Sequence, residues 1–586
     1  MLDWPRPLAA TMDAKQTKIL LGICVLVAAL WLAFPLLGRY EEPLRPDGQP
    51  AQRFDPVQAM QTTQDFVTRY PRRVLGSIEA RQSTGYLQQR FHQLGYQVSY
   101  SHFEGTVAGR RQVGRNVYAF RQAPAPEILA LIAHYDTART TLQGAMDDGS
   151  GIGVLLELAR IFADAPMRRS LLFVASDGEE WGMLGARELA EHYPERAQIA
   201  AALSLDSVTA GDLARLTLGT VGQMSGYTPP WLRLLARAAG EAEMLSVSEP
   251  AGLQEFLERA FLLSGTDQGP LLNAGIPAIN LGSKAVDNDA AREIYHSAAD
   301  TTGNLRIESF ARYGRVAERI VRTLDGLSLL PREPMGAFRV RGNTMLAPAV
   351  MAVFQYLAFL PLLAALFFHM ANNRQYFSAG RIQSELSCFL GTLLPLLLVY
   401  PVVRFVTVLR RLPLFSLYPA TPKDPILANP QYGVLAGILI TVLVAATACF
   451  FLVRFLNRHL PRPDFQVSKT ILLSILAVVV LCALLYNPYW AVSFLVLPAW
   501  VWAWVGPGQG PGGRAANRLM ILCAGVLYYT VSGSYASSLF LGWKLIWYEI
   551  LALSTGMFQW QAFMLSMAMF TLAIRFLAIQ SYSRGD

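Results

Sequence analysis

The 586 residues exceed what a single hydrophobic core usually organises, so at least two domains are expected. Hydrophobic residues make up 53% and charged residues 16%, and the apolar excess gathers at the N-terminus and after Thr344. The net charge of +8 does not indicate nucleic acid: many Lys and Arg sit in short loops between apolar segments, and the polar part has no basic stripe interleaved with aromatics.

Ile19–Leu37 is an uncharged apolar run behind Lys15 and Lys18, close to the ~20 residues that cross a bilayer. Phe34-Pro35-Leu36-Leu37-Gly38 lacks a small-residue cleavage pattern, so the run reads as an uncleaved anchor with its N-terminus in the cytoplasm. Residues 1–40 are assigned to that N-terminus and anchor, and the polar, Pro-rich residues 41–55 to a linker. Residues 56–341 read as a water-soluble α/β domain. Apolar spacing predicts helices over Val57–Tyr70, Ile78–Leu94, Gly151–Ala163, Met183–His192, Trp231–Ala242 and Ile307–Leu327. Strands are predicted over Val98–Phe103 and Asn116–Phe120. Further strands are predicted over Ile128–Ala133, Ser170–Ala175, Ile199–Leu205 and Ile276–Leu281, whose unbroken apolar runs suit burial on both faces. The alternation implies an α/β fold with a mostly parallel sheet and helices on both faces.

Residues 342–586 read as an all-α multispanning membrane domain. Its predicted spans are Leu346–Phe368, Leu386–Val408, Tyr432–Phe455, Ile471–Tyr486, Trp490–Trp504, Leu519–Ser537 and Phe558–Ala578, with Leu539–Leu553 a possible further span. With the anchor counted, Arg374, Arg381, Arg454, Arg458, Arg462, Lys469, Arg514, Arg518 and Arg584 fall on the cytoplasmic side. The Arg410-Arg411 pair falls outside, against the rule. Most of these runs hold no charge, which favours anchoring over a transport path. All five cysteines (Cys24, Cys388, Cys449, Cys482 and Cys523) lie in apolar stretches. The soluble domain therefore has no disulfide, and any metal there must be held by His and carboxylate.

Five short motifs stand at strand ends or helix starts of the soluble domain. They are His134-Tyr135-Asp136, Asp147-Asp148-Gly149-Ser150-Gly151, Asp177-Gly178-Glu179-Glu180, Asp206 and Tyr295-His296. In open α/β sheets, sites form beyond the carboxyl ends of the strands, where three of these motifs sit. Imidazole and carboxylate are zinc donors, and two adjacent zinc ions need a shared carboxylate. One allocation fits: His134, Asp147 and Asp206 around one ion, and Asp147, Glu180 and His296 around the other, with Asp147 bridging. Glu179 is then free to act as general base on a water, and Asp136 is placed to accept the distal ring N–H of His134. His92, His102 and His192 read as surface or capping residues, and His369 and His459 as interfacial. Asp148 reads as a turn residue, Asp177 as structural and Asp300 as a helix cap.

In that order, the five motifs resemble the M28 family of zinc-dependent exopeptidases, over about Val57–Leu327. The resemblance implies two zinc ions, Glu179 as base, and aminopeptidase or carboxypeptidase activity on peptides, with aminopeptidase expected. An anchor followed by such a domain and many spans is similar to the membrane-bound branch, which includes the endoplasmic reticulum metallopeptidase and the vacuolar membrane protease. Ser264, Gly265, Thr266 and Asp267 resemble the loop that lines the substrate pocket, and Tyr295 joins them. Gln268 stands where many relatives carry His. Short loops and compact length suggest a bacterial inner-membrane member with a periplasmic domain; the oligomeric state stays open. Two alternatives stand beside this reading: an inactive peptidase fold used for binding or assembly, and a glutaminyl-cyclase-like transferase.

Overall fold

Four central strands carry the fold of the soluble part, and the apolar runs at their centres explain why. The computed structural model describes residues 12–42, 44, 53–107, 110–222, 226–261, 264–331, 335–410, 429–461, 464–507, 511–524, 547, 550–551, 553 and 560–581. Gly38–Pro348 form one unit, and the helices before Gly38 and after Pro348 form another.

The strands of the first unit are β1 (Arg39–Tyr40), β2 (Gln97–Val107), β3 (Arg110–Arg121), β4 (Ala125–His134), β5 (Arg169–Ser176), β6 (Ile199–Leu205), β7 (Leu213–Gly219), β8 (Ser246–Ser248), β9 (Ala278–Ala285), β10 (Phe338–Arg341) and β11 (Thr344–Leu346). Eight of them form a sheet in the order β2-β3-β5-β4-β6-β9-β7-β8. The centre, β5-β4-β6-β9, is parallel. The flanks are antiparallel at β2/β3, β3/β5 and β7/β9, so the sheet is mixed. Alternate residues of the central strands enter opposite cores. Leu129, Leu131, Leu171 and Phe173 join one cluster, while Ile128, Ala130, Leu172 and Val174 join another. Both faces are therefore covered, as unbroken apolar strands require. β1, β11 and β10 form a separate three-stranded sheet that extends this unit past the expected limit at residue 341.

The helices of this unit are α1 (Pro56–Arg69), α2 (Ile78–Gln93), α3 (Ser150–Ala163), α4 (Leu184–His192), α5 (Pro230–Ala242), α6 (Leu253–Phe261), α7 (Gln268–Asn273), α8 (Asn288–Ile294) and α9 (Ile307–Gly326). Asp55 starts α1 by accepting from the amides of Val57 and Gln58, and Ser77 starts α2 by accepting from that of Ala80. α1 and α3 meet through Gly153. A Cβ there would stand 2.1 Å from Thr63 Oγ1 and 2.5 Å from the Ala59 carbonyl. Thr63 also donates to the Gly149 carbonyl at 3.2 Å, which ties α1 to the loop that carries Asp147.

In the second unit, six helices among the described residues are long and apolar enough to cross a membrane: Ala14–Leu37, Pro348–Tyr376, Ala379–Phe405, Tyr432–His459, Phe465–Tyr486 and Trp560–Ile579. Pro488–Ala491, Val492–Val496 and Leu497–Trp504 are three short helical pieces in series, less than one such span. The expected span at Leu519–Ser537 leaves the described residues after 524. Most of Leu539–Leu553 lies outside them, as do Arg411, Arg462, Arg584 and Phe558. Gln16 and Asn372 exchange two side-chain hydrogen bonds, 2.8 and 3.1 Å, and Trp31 Nε1 donates to the Phe354 carbonyl. The first two helices therefore run antiparallel.

Two of these helices begin earlier than their apolar runs, at Ala379 and Phe465, and so enclose charged residues that the sequence left outside the spans. Glu385 takes Arg575 Nη2 at 2.6 Å and Ser468 Oγ at 2.9 Å, and the Lys469 ammonium donates to the Ala503 carbonyl. His369 is buried against its neighbours. Pairing inside the bundle lets Glu385, Arg575 and Lys469 leave water.

Gly153→Ala is expected to lower the thermal midpoint of the full chain in detergent, by overpacking α1 against α3 at a cost of about 1–3 kcal/mol. An unchanged midpoint would show that the two helices can part without loss.

Candidate metal centre

β4 and β5 end side by side, with His134 opposite Ser176 in register. The chain then turns at each strand end, and the polar residues of these turns project together. His134 Nε2 stands 3.2 Å from Asp147 Oδ1. The other oxygen of Asp147 stands 2.8 Å from His296 Nε2, which is also 3.0 Å from Glu180 Oε1. Two donor groups result, His134–Asp147–Asp206 and Asp147–Glu180–His296, each with one ligand atom per residue within 4.8 Å of the others. All are buried except the half-buried Asp206.

The backbone presents these side chains in several ways. Asp136 accepts the Glu179 amide on one carboxylate oxygen at 3.0 Å and the Glu180 amide on the other at 3.3 Å. The first oxygen also lies 3.4 Å from His134 Nδ1. Asp136 thus links the end of β4 to the turn after β5. Glu180 Oε1 accepts the Ala138 amide as well. His296 has φ +50°, and its carbonyl accepts from Thr140 Oγ1 at 2.6 Å; the Tyr295 ring stacks on its imidazole at 4.0 Å. Ser207 Oγ reaches Asp206 Oδ1 at 3.0 Å and Asp147 Oδ1 at 3.3 Å. The Asp147-Asp148 peptide is cis.

Asp148 accepts the amides of Gly151 and Ser207, joining the start of α3 to the turn after β6. Asp177 accepts the Arg115 amide, and its carboxylate faces the Tyr135 hydroxyl. Asp300 is no cap for the turn that follows it. Its two oxygens accept the amides of Met146 at 2.7 Å and Asp147 at 3.2 Å, so it holds the loop of the shared carboxylate.

Arg73 has no counterpart among the motifs. Its buried guanidinium donates to four carbonyls, those of Tyr135, Tyr70, Gln143 and Gly144. It joins the turn after His134 to the loop before Asp147. No spacing rule identifies it, because its partners lie up to 71 residues away.

Of the expected substrate loop, Asp267 faces the carboxylate cluster. Its Oδ2 accepts from Ser176 Oγ at 2.5 Å. Ser264 and Thr266 turn onto Gln268, and Gly265 sits between them.

The electrostatics are those of an excess of anions. Burial, with repulsion from Glu180, Asp206 and Asp267, pushes Glu179 well above the usual carboxylate range, against the pull of His134. Burial lifts Glu180 to about 7, and Asp206 and Asp267 to about 6. Burial also lifts Asp147, but the two imidazoles outweigh it and hold its carboxyl low. Burial pulls His296 down, and Glu180 and Asp147 overcome this to hold it up at about 10. Asp147 Oδ2 and His296 Nε2 approach closely without hydrogen-bond geometry. The donors aim at a common point rather than at each other. Buried imidazole and carboxylate in this number and geometry fit zinc, whose charge offsets the surplus.

Residues 116–321 match peptidase family M28. This part of the chain is an M28 peptidase domain. The match starts at Asn116 in β3 and ends within α9, so it takes in both donor groups. The alkaline phosphatase isozyme conversion protein of Escherichia coli (strain K12) is 30% identical over 196 residues, covering 29% of this chain and 55% of that protein. Aminopeptidase YwaD of Bacillus subtilis (strain 168) is 25% identical, covering 32% and 39%. The vacuolar membrane protease of Clavispora lusitaniae is 28% identical, covering 31% and 16%. The chain thus spans about half or less of the length of these curated relatives. Among solved structures, a Porphyromonas gingivalis glutaminyl cyclase aligns at 22% identity and TM-score 0.40, over 46% of this chain and 99% of its own. A Bacillus subtilis zinc aminopeptidase aligns at 16% and 0.39, over 46% and 95%.

Arg73→Ala is expected to cost about 3–5 kcal/mol, because it strips a buried cation from the carbonyls and carboxylates around it. Arg73→Lys, which keeps the charge and reaches fewer carbonyls, should recover only part of this. The thermal midpoint and zinc content of both variants check this, and wild-type values for Arg73→Ala would refute it.

Proposed function

We propose that the chain is a membrane-anchored di-zinc exopeptidase, an aminopeptidase that removes N-terminal residues from peptides outside the cytoplasm. The observation that carries this reading is Asp147, whose two oxygens face the imidazoles of two separate donor groups. His134, Asp147 and Asp206 would hold one zinc ion, and Asp147, Glu180 and His296 the other. When bound, such a pair lowers the pKa of a water towards neutrality and polarises a carbonyl.

Glu179 belongs to neither donor group, and its Oε2 lies 3.9 Å from His134 Nε2. Its side chain therefore stands beside both donor groups without belonging to either. A carboxylate held above its ordinary range is the stronger base, suited to accept a proton from the attacking water and return it to the leaving amine. Asp136 acts as a positioning group, fixing the His134 ring and the Glu179 backbone together. The surplus of carboxylates suits a substrate's α-ammonium better than its carboxylate, and Arg73 is already spent on four carbonyls. That one relative is an aminopeptidase supports the same choice.

Purified in detergent, the protein should contain two zinc ions per chain and release fluorophore from aminoacyl substrates. Glu179→Gln should keep the zinc and lose about 10²–10⁴-fold in kcat, while Asp147→Asn should lose metal from both positions. Full turnover by Glu179→Gln would sink this reading. Pyroglutamate formed from a Gln-initiated peptide, without peptide hydrolysis, would replace it with the cyclase.

Membrane sidedness follows from charge. The pairing of Gln16 with Asn372 sets Lys15 and Lys18 beside the end of the second helix that leads to Arg374. The positive-inside rule assigns that end to the cytoplasm, and with it the peptidase domain to the far side of a bacterial inner membrane. A membrane-impermeant maleimide should label Val286→Cys on intact spheroplasts and label Arg458→Cys only after permeabilisation. The opposite pattern would invert the topology.

A further inference from the structure

Away from the metal centre, β8 forms one edge of the large sheet, and arginines from two other elements, α5 and β10, converge on the residue after it. Glu249 Oε1 takes Arg233 Nε at 2.5 Å. Its Oε2 takes Arg237 Nη2 at 2.8 Å and Arg339 Nη1 at 3.1 Å. Glu255 takes Arg233 Nη1 at 3.0 Å and also pairs with Arg259. Four guanidiniums, all buried or nearly so, therefore share two buried carboxylates. Two further acids stand by: Glu241 touches Arg237 from the solvent side at 3.8 Å, and Glu258, whose carboxyl burial pushes up to about 7, feels both Glu255 and Arg233.

Beside this cluster lies an open cavity of about 370 Å³, lined by Arg215, Arg237, Arg339, Ser246, Ser248 and Glu249 among others. Arg215 spends its Nε on Ser246 Oγ at 3.2 Å. Arg339 spends its Nε on the Gly342 carbonyl and its Nη1 on Glu249. Both terminal nitrogens of Arg215, Nη2 of Arg339 and the Ser248 hydroxyl have no hydrogen bond among the described residues. Burial, together with the neighbouring Arg237 and Arg233, holds the Arg339 guanidinium below its ordinary range. Positive charge is thus in excess at the wall of a solvent-open cavity, with donors unspent.

We propose that this cavity binds a phosphate group. The donors come from β7, β8 and β10 in different directions. A planar carboxylate is satisfied by one guanidinium edge, whereas a tetrahedral anion offers oxygens to several donors at once. The volume falls within the ~300–1,000 Å³ of small-ligand sites, which leaves room for the group that bears the phosphate. Free phosphate and a phospholipid headgroup present the same chemistry. The plain alternative is that the arginines only clamp β8 to β7, α5 and β10, in which case Arg215 does no more than hold Ser246.

Calorimetric titration of the full chain in non-ionic detergent with inorganic phosphate should show saturable binding. Arg215→Gln, a change at an exposed position, should weaken it about tenfold, and Ser248→Ala by a few-fold. Hydrolysis of aminoacyl substrates should stay unchanged in both variants. Phosphate held at the metal centre instead would survive Arg215→Gln intact. Displacement of phosphate by a short-chain phosphatidylglycerol would identify a lipid headgroup, and failure to displace it would identify free phosphate. Either result supports the site. Absence of saturable binding, or binding indifferent to Arg215→Gln, overturns it.

Discussion

Asp147 faces two imidazoles at once, and much of the soluble unit serves to keep its loop in place against charge repulsion. Asp300 accepts the amides of Met146 and Asp147. Arg73 pulls on the carbonyls of Gln143 and Gly144. Gly144, at φ +60°, brings the loop close, since a Cβ there would lie 2.4 Å from Thr137 and 2.7 Å from the Asp147 carbonyl. Hydrogen bonds to charged groups contribute about 1.5–3 kcal/mol each, against about 0.5–1.5 for neutral ones. The charged holders of this loop therefore matter most, and each also takes part in the electrostatics it supports.

The strand arrangement gives the loop its partners. In a parallel pair both strands end on the same side, so β4, β5 and β6 deliver His134, the Glu179-Glu180 turn and Asp206 to one rim. An antiparallel centre would send half of these residues to the opposite rim. The antiparallel flanks carry none of the donors, and their polarity is free to differ. Preorganisation is thus a property of the sheet first and of the side chains second.

The parts that were legible in the sequence are those that physics makes local. β4, β5 and β6 announce themselves as unbroken apolar runs because both faces are covered. The donors stand in short motifs because each turn follows its strand directly. Arg73 and Asp300 were illegible because, Tyr70 apart, their partners lie 62 to 154 residues away, and only the closed fold brings them together. β7 alternates buried and open positions, and β8 is three residues long, so neither gives an apolar run. In the membrane unit, the helices containing Glu385 and Lys469 outlast their apolar stretches. Hydropathy stops at a charge, whereas a helix continues if the charge finds a partner inside the bundle.

Three buried charge clusters can be ranked by how nearly they close. Glu385 and Arg575 match one to one, with Ser468 taking a remaining lone pair, and such a pair satisfies itself. The metal centre gathers carboxylates well beyond its cations, so its stable state requires positive charge from outside the chain. The arginines around Glu249 carry the opposite surplus, and theirs borders a cavity rather than a sealed core. Desolvated charge that remains unbalanced costs several kcal/mol per ion. A fold retains such an imbalance where a ligand completes it, which is the physical ground for proposing ligands at the two unbalanced clusters and none at the balanced one.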